Sequence, residues 1–279
     1  MFTLKINDTK LYVETFGDIK NPPIVLVHGS IIQSNGFGFW VGNGWAEKLA
    51  KNFYVIAYDR RNNGRCEGYS PKGSVKDHAE DLLALIDAMA LDKPTVLGLS
   101  AGTYITGCAL GIAPEKIGKV VLVVPHIKAE NGLTPAAVAF TNGGLTFKEA
   151  CGILEPDRWP LYQEIMFRTG YAPTSGPEIK QRGIDGNSIL MGETKYTEEQ
   201  KLEASALLGN FDNHEAYANA DNPILVISGR HDGMCPPEAG KEIADIAKNS
   251  KYVVLENSGH MLSFEQPDEA IAEVEAFLL

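Results

Sequence analysis

The sequence predicts a doubly wound α/β fold, in which a mostly parallel sheet carries helices on both faces and a helical cap is inserted. Three observations support this fold class. Short apolar runs rich in β-branched residues recur along the 279 residues, helical patterns lie between them, and the alternation stops from residue 125 to 221 before it resumes. Strands that alternate with helices predict right-handed βαβ units in one sheet.

Six of the apolar runs are predicted to be central strands of the sheet. Each run is apolar on both faces, as in strands that helices cover on both sides. The runs occupy residues 23–28, 53–59, 95–99, 119–124, 223–228 and 251–256. Residues 1–17 predict two further short strands at the start of the chain.

Three other segments have the spacing of amphipathic helices. In residues 74–92, apolar side chains recur along one face with a period of 3.6 residues. Residues 236–250 and 266–279 each place a proline in the first helical turn, where its missing N–H group is not needed. These helices are predicted to cover the sheet.

The interrupted stretch, residues 125–221, is predicted to be a helical cap inserted into one α/β core. It predicts no strand, and helical fragments occupy residues 157–167 and 197–209. A second independent domain is the alternative. The cap is preferred because the α/β pattern resumes afterwards, so that residues 1–124 and 222–279 together form the core.

Composition and charge narrow the classes of function. The formal net charge is −11, and the Lys and Arg side chains are scattered rather than clustered. An acidic surface repels nucleic acid and anionic membranes, so neither is expected as a partner. A small molecule is the expected substrate, and the oligomeric state is left open.

The first residues of the chain indicate where in the cell the protein is expected. They lack a basic region followed by an apolar stretch, so no signal peptide is predicted. No apolar run approaches the roughly 18 residues that span a bilayer. The cytoplasm is therefore the expected location, and the four cysteines, which form no CxxC pair, are expected to be free thiols.

The stretch GLSAG, residues 98–102, places a lone serine between two glycines directly after a predicted buried strand. The residues that follow can start a helix, so Ser100 lies at the apex of a strand–turn–helix, as in a nucleophile elbow. Such a turn strains the serine backbone, and Gly98 and Gly102 prevent collisions with adjacent elements. A helix N-cap serine is the alternative, but Ser100 is the candidate nucleophile.

A serine hydroxyl is a poor nucleophile without a base. Of the six histidines, His260 is the candidate base, because it lies between the last predicted strand and the last predicted helix. That place is the edge of the sheet where ligands bind. His78 is expected on a solvated helix face, His214 is expected to be structural, and His28 is expected to shape the loop after its strand.

The base needs a carboxylate that orients it. Asp232 follows the next-to-last predicted strand, which gives the chain order Ser, Asp, His that this architecture favours. An aspartate that hydrogen-bonds its own turn is the alternative. A metal site that includes the neighbouring His231 is not expected, because no second histidine or carboxylate cluster has ligand spacing.

These motifs together resemble the α/β-hydrolase superfamily, and the resemblance covers nearly the whole chain outside the cap. Residues 25–30, VLVHGS, resemble the HG loop of the family, and residues 258–269 resemble its terminal histidine segment. Residues 58–68 resemble a family segment that we take as structural. That segment departs from the family pattern with Asn62 for glycine and Cys66 for serine.

The resemblance implies an oxyanion hole and a reaction. The implied hole consists of the backbone amides of Ser30 and Ala101, and Thr103 stands where many members have a second glycine. The implied reaction is acyl transfer through Ser100, with no cofactor and no metal. Hydrolysis of a small carboxylic ester, lactone or thioester is the first expectation. A carbon–carbon bond hydrolase or cofactor-free perhydrolase is the second, and a ligand receptor built on the hydrolase fold is the third.

Specificity is expected to come from residues beyond the nucleophile, the base and the acid. Those groups recognise only a carbonyl and its developing charge, so other walls must contact the rest of the substrate. The Gly-rich loop of residues 34–45 and the cap can supply such walls. The candidate substrate-binding residues are Trp40, His126, Trp159 and Met261.

Overall fold

The computed structural model describes residues 1–29, 40, 43–182 and 196–279. Within these residues, eight strands form one sheet and two short strands form another. The strands are β1 (Phe2–Ile6), β2 (Thr9–Phe16), β3 (Pro23–Val27), β4 (Tyr54–Tyr58), β5 (Thr95–Leu99), β6 (Val120–Val123), β7 (Lys128–Ala129), β8 (Phe211–Asp212), β9 (Ile224–Gly229) and β10 (Ser250–Leu255).

The large sheet confirms the predicted fold class, and all six predicted runs form strands in it, but β10, which was predicted to be a central strand, lies at the edge of the sheet. Its order is β1-β2-β4-β3-β5-β6-β9-β10. β2 pairs antiparallel with β1 and β4, and the other pairs of this sheet are parallel. The chain places β4 on one side of β3 and β5 on the other, so the strand order reverses at this point. Ligands of open α/β sheets bind at the carboxyl ends of the strands beside such a reversal.

The helices alternate with the strands of the large sheet as predicted. They are α1 (Trp45–Leu49), α2 (Val75–Ala88), α3 (Ala101–Ile112), α4 (Pro135–Asn142), α5 (Phe147–Ala150), α6 (Trp159–Gly170), α7 (Glu198–Leu208), α8 (His214–Asn219), α9 (Pro237–Ile246), α10 (Leu262–Glu265) and α11 (Pro267–Leu278). Among the residues that the structure describes, none of the helices has the length and apolar character that crossing a membrane requires.

Apolar side chains of the parallel strands alternate between two cores, one on each face of the sheet. Val25 of β3 lies in the core that α2 and α3 cover, together with Ile105 of α3. Its neighbour Ile24 lies in the core that α1 and α11 cover, together with Trp45 and Val274. Burial on both faces is the reason these strands read as continuous apolar runs.

Helix α2 buries a histidine that the sequence places on a solvated face, so that prediction was wrong. His78 is only 3 % exposed. Asp81, three residues later on the same face, pairs with the buried Arg61 at 2.6 Å. Polar groups of the loop after β4 thus meet this face of the helix. Burial, with the positive charge of Arg60 nearby, lowers the pKa of His78 well below its ordinary value, which keeps the ring neutral.

The loop after β4 accommodates both departures from the family pattern. Asn62 has a φ of 57°, a conformation that asparagine tolerates better than most residues. Its side chain bonds to the backbone N–H and C=O of Ser70 at 2.8 and 2.7 Å. The Cys66 thiol lies 3.0 Å from the carbonyl of Asp59, in the place of a donating serine hydroxyl, and burial raises its pKa to about 12. The loop therefore keeps a well-bonded geometry.

Residues 125–221 carry helices α4 to α8 and the strand pair β7–β8. The sequence predicts no strand here, and the structure corrects this: Lys128 pairs with Asp212 and Ala129 with Phe211. Strands of two residues are too short to produce an alternating pattern in the sequence.

The helices of this segment pack in two different places. Phe140 of α4 and Ile165 of α6 lie in a small core of their own, which also contains Met234 from the loop after β9. Tyr217 of α8 lies in the main core on the α3 side. Its hydroxyl donates to the carbonyl of Thr103 at 3.3 Å. The end of the segment is thus packed directly on the α/β core.

Candidate active site

Ser100 occupies a strained turn between β5 and α3. Its φ of 52° and ψ of −121° are unusual for a residue with a side chain. Both flanking glycines are required by space. A Cβ at Gly98 would lie 2.6 Å from the carbonyl oxygen of Gly102, and a Cβ at Gly102 would lie 2.1 Å from that of Val27. The turn therefore places Ser100 at the carboxyl end of the sheet, beside the reversal of strand order.

The turn is also fixed by hydrogen bonds. The Ser100 N–H donates to the carbonyl of Val123 at 2.9 Å, which ties the turn to β6. The hydroxyl of Thr103 donates to the carbonyl of Ser100 at 2.6 Å. The threonine that replaces the second glycine of many family members is accommodated through this bond.

His260 lies on the loop between β10 and α10, and its ring touches Ser100. The distance from His260 Nε2 to Ser100 Oγ is 3.0 Å, and the distance from His260 Nδ1 to Asp232 Oδ2 is 2.8 Å. A carboxylate only accepts hydrogen bonds, so Nδ1 carries the hydrogen in the neutral ring. Nε2 is then the acceptor that faces the hydroxyl of Ser100.

Asp232 lies on the loop after β9 and uses both of its carboxylate oxygens. Oδ1 accepts the backbone N–H groups of Met234 and Cys235 at 2.8 and 2.7 Å, and Oδ2 accepts from His260. The carboxylate has no exposed surface. Asp232 is therefore both a turn aspartate, through Oδ1, and a hydrogen-bond partner of the histidine, through Oδ2.

Burial and charge act in opposite directions on His260. Burial disfavours the charged ring and by itself lowers the pKa, but the negative charge and the hydrogen bond of Asp232 outweigh it. The pKa of His260 is thus raised well above its ordinary value. The same interaction stabilises the imidazolium that forms when the ring takes a proton.

Judged by residue type alone, a metal ion could bind to a group of three side chains, Asp232, Cys235 and His260. One ligand atom from each lies within 4.8 Å of the others. Burial raises the pKa of the Cys235 thiol, which disfavours the thiolate that a metal needs. Both oxygens of Asp232 are already bound to N–H groups. The arrangement therefore fits proton transfer better than cation binding.

The structure describes one of the two residues of the implied oxyanion hole. Ala101 is the first residue of α3, where backbone N–H groups lack helical partners. Ser30 lies outside the described residues. The residue before it, Gly29, lies against Ser100, since a Cβ there would be 2.9 Å from the Cβ of Ser100.

His28 and Arg60 hold the carbonyl of Gly29. His28 Nδ1 lies 2.9 Å and Arg60 Nη2 lies 3.2 Å from this oxygen, and His28 Nε2 accepts the backbone N–H of Arg60 at 3.1 Å. These contacts require the neutral ring with its hydrogen on Nδ1. Burial lowers the pKa of His28 well below its ordinary value, in agreement with that state.

The four predicted substrate-binding residues lie in different environments. Trp40 has no exposed surface and packs on Trp45 in the core, with ring centroids 6.0 Å apart. A side chain without exposed surface cannot contact a substrate, so the prediction for Trp40 is corrected: its large apolar ring fills the core. Trp159 is half-buried and stacks on Tyr162, with centroids 5.3 Å apart.

His126 and Met261 lie nearer to the loops that carry the site. His126 lines an open cleft of about 340 Å³ together with Val138 and Met234. Its buried Nδ1 has no hydrogen-bond partner among the described residues, and burial lowers the pKa of the ring. Met261 directly follows His260 and is half-buried.

Sequence reasoning missed two residues of this region. Cys235 lies three residues after Asp232 in the same loop, and the fold brings it close to His260. Glu265 lies in the family-like segment of residues 258–269, but it bonds to backbone N–H groups, which no residue pattern marks. Its carboxylate accepts the N–H of Gly259 at 2.7 Å, directly before the histidine.

Comparisons with known proteins agree with this geometry. The model of the Alpha/beta hydrolase family matches residues 24–274. The pyrrolizixenacetamide deacetylase of Xenorhabdus hominickii is 24 % identical over 269 residues, which cover 94 % of this chain and 92 % of that protein. The pimeloyl-[acyl-carrier protein] methyl ester esterase of Vibrio parahaemolyticus is 26 % identical and covers 96 % and 98 %. The crystal structure of MGS-M2, an alpha/beta hydrolase enzyme from a Medee basin deep-sea metagenome library, has a TM-score of 0.81 at 19 % identity, over 99 % of this chain and 97 % of that one.

Proposed function

Because this chain belongs to the alpha/beta hydrolase family and is a hydrolase, we propose that it cleaves a small carboxylic ester, lactone or thioester through an acyl-enzyme on Ser100. One observation carries the proposal: the unbroken chain of contacts from Ser100 Oγ through His260 to Asp232, at 3.0 and 2.8 Å. Two of the relatives described above are named for deacetylation and for methyl ester hydrolysis, which are both acyl transfers to water.

The first half of the proposed reaction forms the acyl-enzyme. His260 Nε2 takes the hydroxyl proton of Ser100 while Oγ attacks the substrate carbonyl. The backbone amides of Ala101 and Ser30 hold the oxyanion, and the N-terminal end of α3 favours negative charge there. Asp232 holds the imidazolium. The tetrahedral intermediate then expels the alcohol or thiol, which receives the proton from His260.

The second half returns the enzyme to its starting state. His260 removes a proton from a water molecule, whose oxygen attacks the acyl carbon. The second tetrahedral intermediate breaks its bond to Ser100 Oγ, and the serine recovers a proton from His260. The acid product leaves, and no redox step or cofactor is required.

We propose residues 125–221 as the cap of this site. The small core of α4 and α6 contains Met234, two residues after Asp232, so this segment packs directly beside the acid. His126, Trp159 and Met261 remain the proposed contacts of the substrate. The cytoplasm remains the proposed location.

A chromogenic short-chain ester and a fluorophosphonate label test the proposal together. We expect turnover by the wild type, a phosphonate adduct on Ser100, and a loss of roughly 10⁴-fold or more in kcat for Ser100→Ala. Ser228→Ala, which changes another buried serine on β9, is the matched control and should keep its activity. An adduct on a different residue, with Ser100→Ala still active, contradicts the proposal.

A wider substrate panel separates the remaining alternatives. Cleavage of dicarbonyl compounds without cleavage of esters indicates a carbon–carbon bond hydrolase. Peracid formation from a carboxylic acid and hydrogen peroxide indicates a perhydrolase. Saturable binding of a ligand without any turnover indicates a receptor.

A further inference from the structure

One short segment of the cap touches the loops of both the acid and the base. The strap, residues 169–175, consists of the last two residues of α6 and the five residues that follow it. The Gly233 N–H, directly after Asp232, donates to the carbonyl of Thr169 at 2.7 Å. The Met261 N–H, directly after His260, donates to the carbonyl of Gly170 at 2.9 Å. The acid loop and the base loop are thus joined through two consecutive carbonyl groups.

Glu265 ties the other side of the base loop to the same strap. Its Oε2 accepts the N–H of Gly259, directly before His260, at 2.7 Å. Its Oε1 accepts the N–H of Ala172 at 2.8 Å and the hydroxyl of Ser175. Both peptide neighbours of His260 are therefore held, one by a strap carbonyl and one by a carboxylate that the strap also binds.

Close packing leaves these backbones little room to move. A Cβ at Gly259 would lie 2.7 Å from the carbonyl oxygen of Gly170, and one at Gly233 would lie 3.0 Å from that of Thr169. Real side chains do not fit at the shorter of these distances, so the contact depends on bare backbone. The position of the histidine loop is consequently determined by the strap and Glu265 together.

We infer that Glu265 is a positioning residue, which acts through Gly259 and the strap to hold His260 between Ser100 and Asp232. The inference rests on the proposed function, since it assigns a role within that reaction. The carboxylate bonds to neighbours of the base rather than to the base itself. A displacement of about 1 Å at a reacting group can cost roughly 100-fold in rate, so a loop anchor of this kind affects chemistry without contact with the substrate.

The pKa of His260 reports its position. Asp232 and Cys235 face the ring from the loop after β9, and Ser100 faces it from the turn after β5. Glu265 acts on the ring only through the backbone. If the loop loosens, the distance between the ring and Asp232 grows, and the pKa of the ring falls toward that of an ordinary histidine. A variant that only lowers the stability of the fold leaves this pKa unchanged.

Glu265→Gln tests the inference at nearly constant shape. The glutamine amide turns its NH2 group toward at least one of the backbone N–H groups that donate to the carboxylate of Glu265. That hydrogen bond is then lost, because two donors face each other. We expect kcat to fall roughly 10- to 100-fold with KM within about twofold of wild type. The acid limb of the kcat/KM profile should move to lower pH. Glu269→Gln, an exposed glutamate on α11, is the matched control and should behave as wild type.

A second variant and a second measurement guard against misfolding and against failure of the proposed function. Ser175→Ala removes one donor to Glu265 and should shift the same quantities in the same direction by a smaller amount. Titration of the His260 imidazole by NMR needs no substrate, so it reports positioning even if the wild type cleaves no ester. A folded Glu265→Gln enzyme with unchanged kcat, pH limb and imidazole titration overturns the inference, as does a change confined to KM or to thermal stability.

Discussion

At the scale of single residues, Asp232 shows how a turn residue becomes part of the candidate site. Its Oδ1 is held by two backbone N–H groups of its own loop, which leaves Oδ2 aimed at His260 Nδ1. Because the carboxylate is fully buried, its charge acts on the ring with little screening by water. The ring orientation therefore follows from the local geometry of one loop.

Asp232→Asn tests this arrangement. The variant keeps the shape of the side chain but loses the charge, and an amide N–H toward the ring favours the hydrogen on Nε2, where it blocks proton uptake from Ser100. We expect kcat/KM to fall roughly 10⁴-fold, with a normal circular dichroism spectrum. Asp245→Asn, an exposed aspartate on α9, serves as the control. A folded Asp232→Asn enzyme with near-normal activity means that another carboxylate is the partner.

The pH profile follows from the state of His260. Only the neutral ring accepts a proton, and although burial by itself lowers the pKa, the charge of Asp232 raises it well above 6.5. We expect kcat/KM to rise with pH along a limb that lies above pH 6.5. An acid limb at or below that pH contradicts the assignment.

The same raised pKa affects folding with a definite sign. The folded ring holds its proton more tightly than the unfolded one, so the stabilisation is complete below the unfolded pKa. It is lost as pH rises through the folded pKa.

At the scale of elements, the turn between β5 and α3 depends on how closely the helix approaches β3. Gly102→Ala places a Cβ 2.1 Å from the carbonyl oxygen of Val27, on a strand with neighbours on both sides. The strand cannot yield without breaking sheet hydrogen bonds, and the helix cannot yield without breaking hydrogen bonds of its first turn. We expect the free energy of unfolding to fall by about 3 kcal/mol in urea titrations. Gly176→Ala, where a Cβ meets no atom of the described residues within 4 Å, should change it little.

A histidine links α8 to α9 and gives a second prediction at this scale. His214 Nδ1 lies 2.6 Å from Asp212 and Nε2 lies 3.0 Å from Glu242, and both carboxylates raise the pKa of the ring. The folded pKa is the higher one, so the stabilisation is full below the unfolded pKa and fades as pH rises through the folded pKa.

His214→Gln should therefore lower the melting temperature more at pH 5.5 than at pH 9. The ring is about a third exposed, so water screens the pair and the contribution stays below about 1 kcal/mol. Equal losses at the two pH values contradict this account.

At the scale of the whole molecule, the parallel sheet gathers the site at one edge. Ser100, Asp232 and His260 follow β5, β9 and β10, and the carboxyl ends of these strands all lie on the same side. This much was predictable from the sequence, because strands buried on both faces leave continuous apolar runs and the chemical groups come directly after them. The chain order of the three residues then indicated which loops meet.

Other features were hidden from the sequence for physical reasons. The strap and Glu265 act through backbone N–H and C=O groups, which every residue carries, so no residue pattern marks the contact. His78 is buried on the face of α2 where Asp81 pairs with Arg61 of a distant loop, and Trp40 lies in the core although its Gly-rich surroundings indicated a substrate loop. Contacts of these kinds depend on the tertiary packing.

The proposed cap, residues 125–221, gives the last prediction, which concerns the molecule as a whole. The strap fixes one end of α6 to the loops of the acid and the base, so we expect substrate choice to come from side chains of the cap rather than from movement at that end. Trp159→Ala and Met166→Ala, which shorten two half-buried side chains of α6, should each change the ranking of ester substrates by acyl size. Each contact is worth about 1–3 kcal/mol, or roughly 10- to 200-fold in discrimination. Activity toward the smallest ester should survive, because Ser100, His260 and Asp232 are untouched. Glu199→Ala, on the exposed side of α7, is the control for folding and should keep the wild-type ranking. If every folded cap variant keeps that ranking as well, specificity comes from elsewhere, and the Gly-rich loop of residues 34–45 becomes the segment to test.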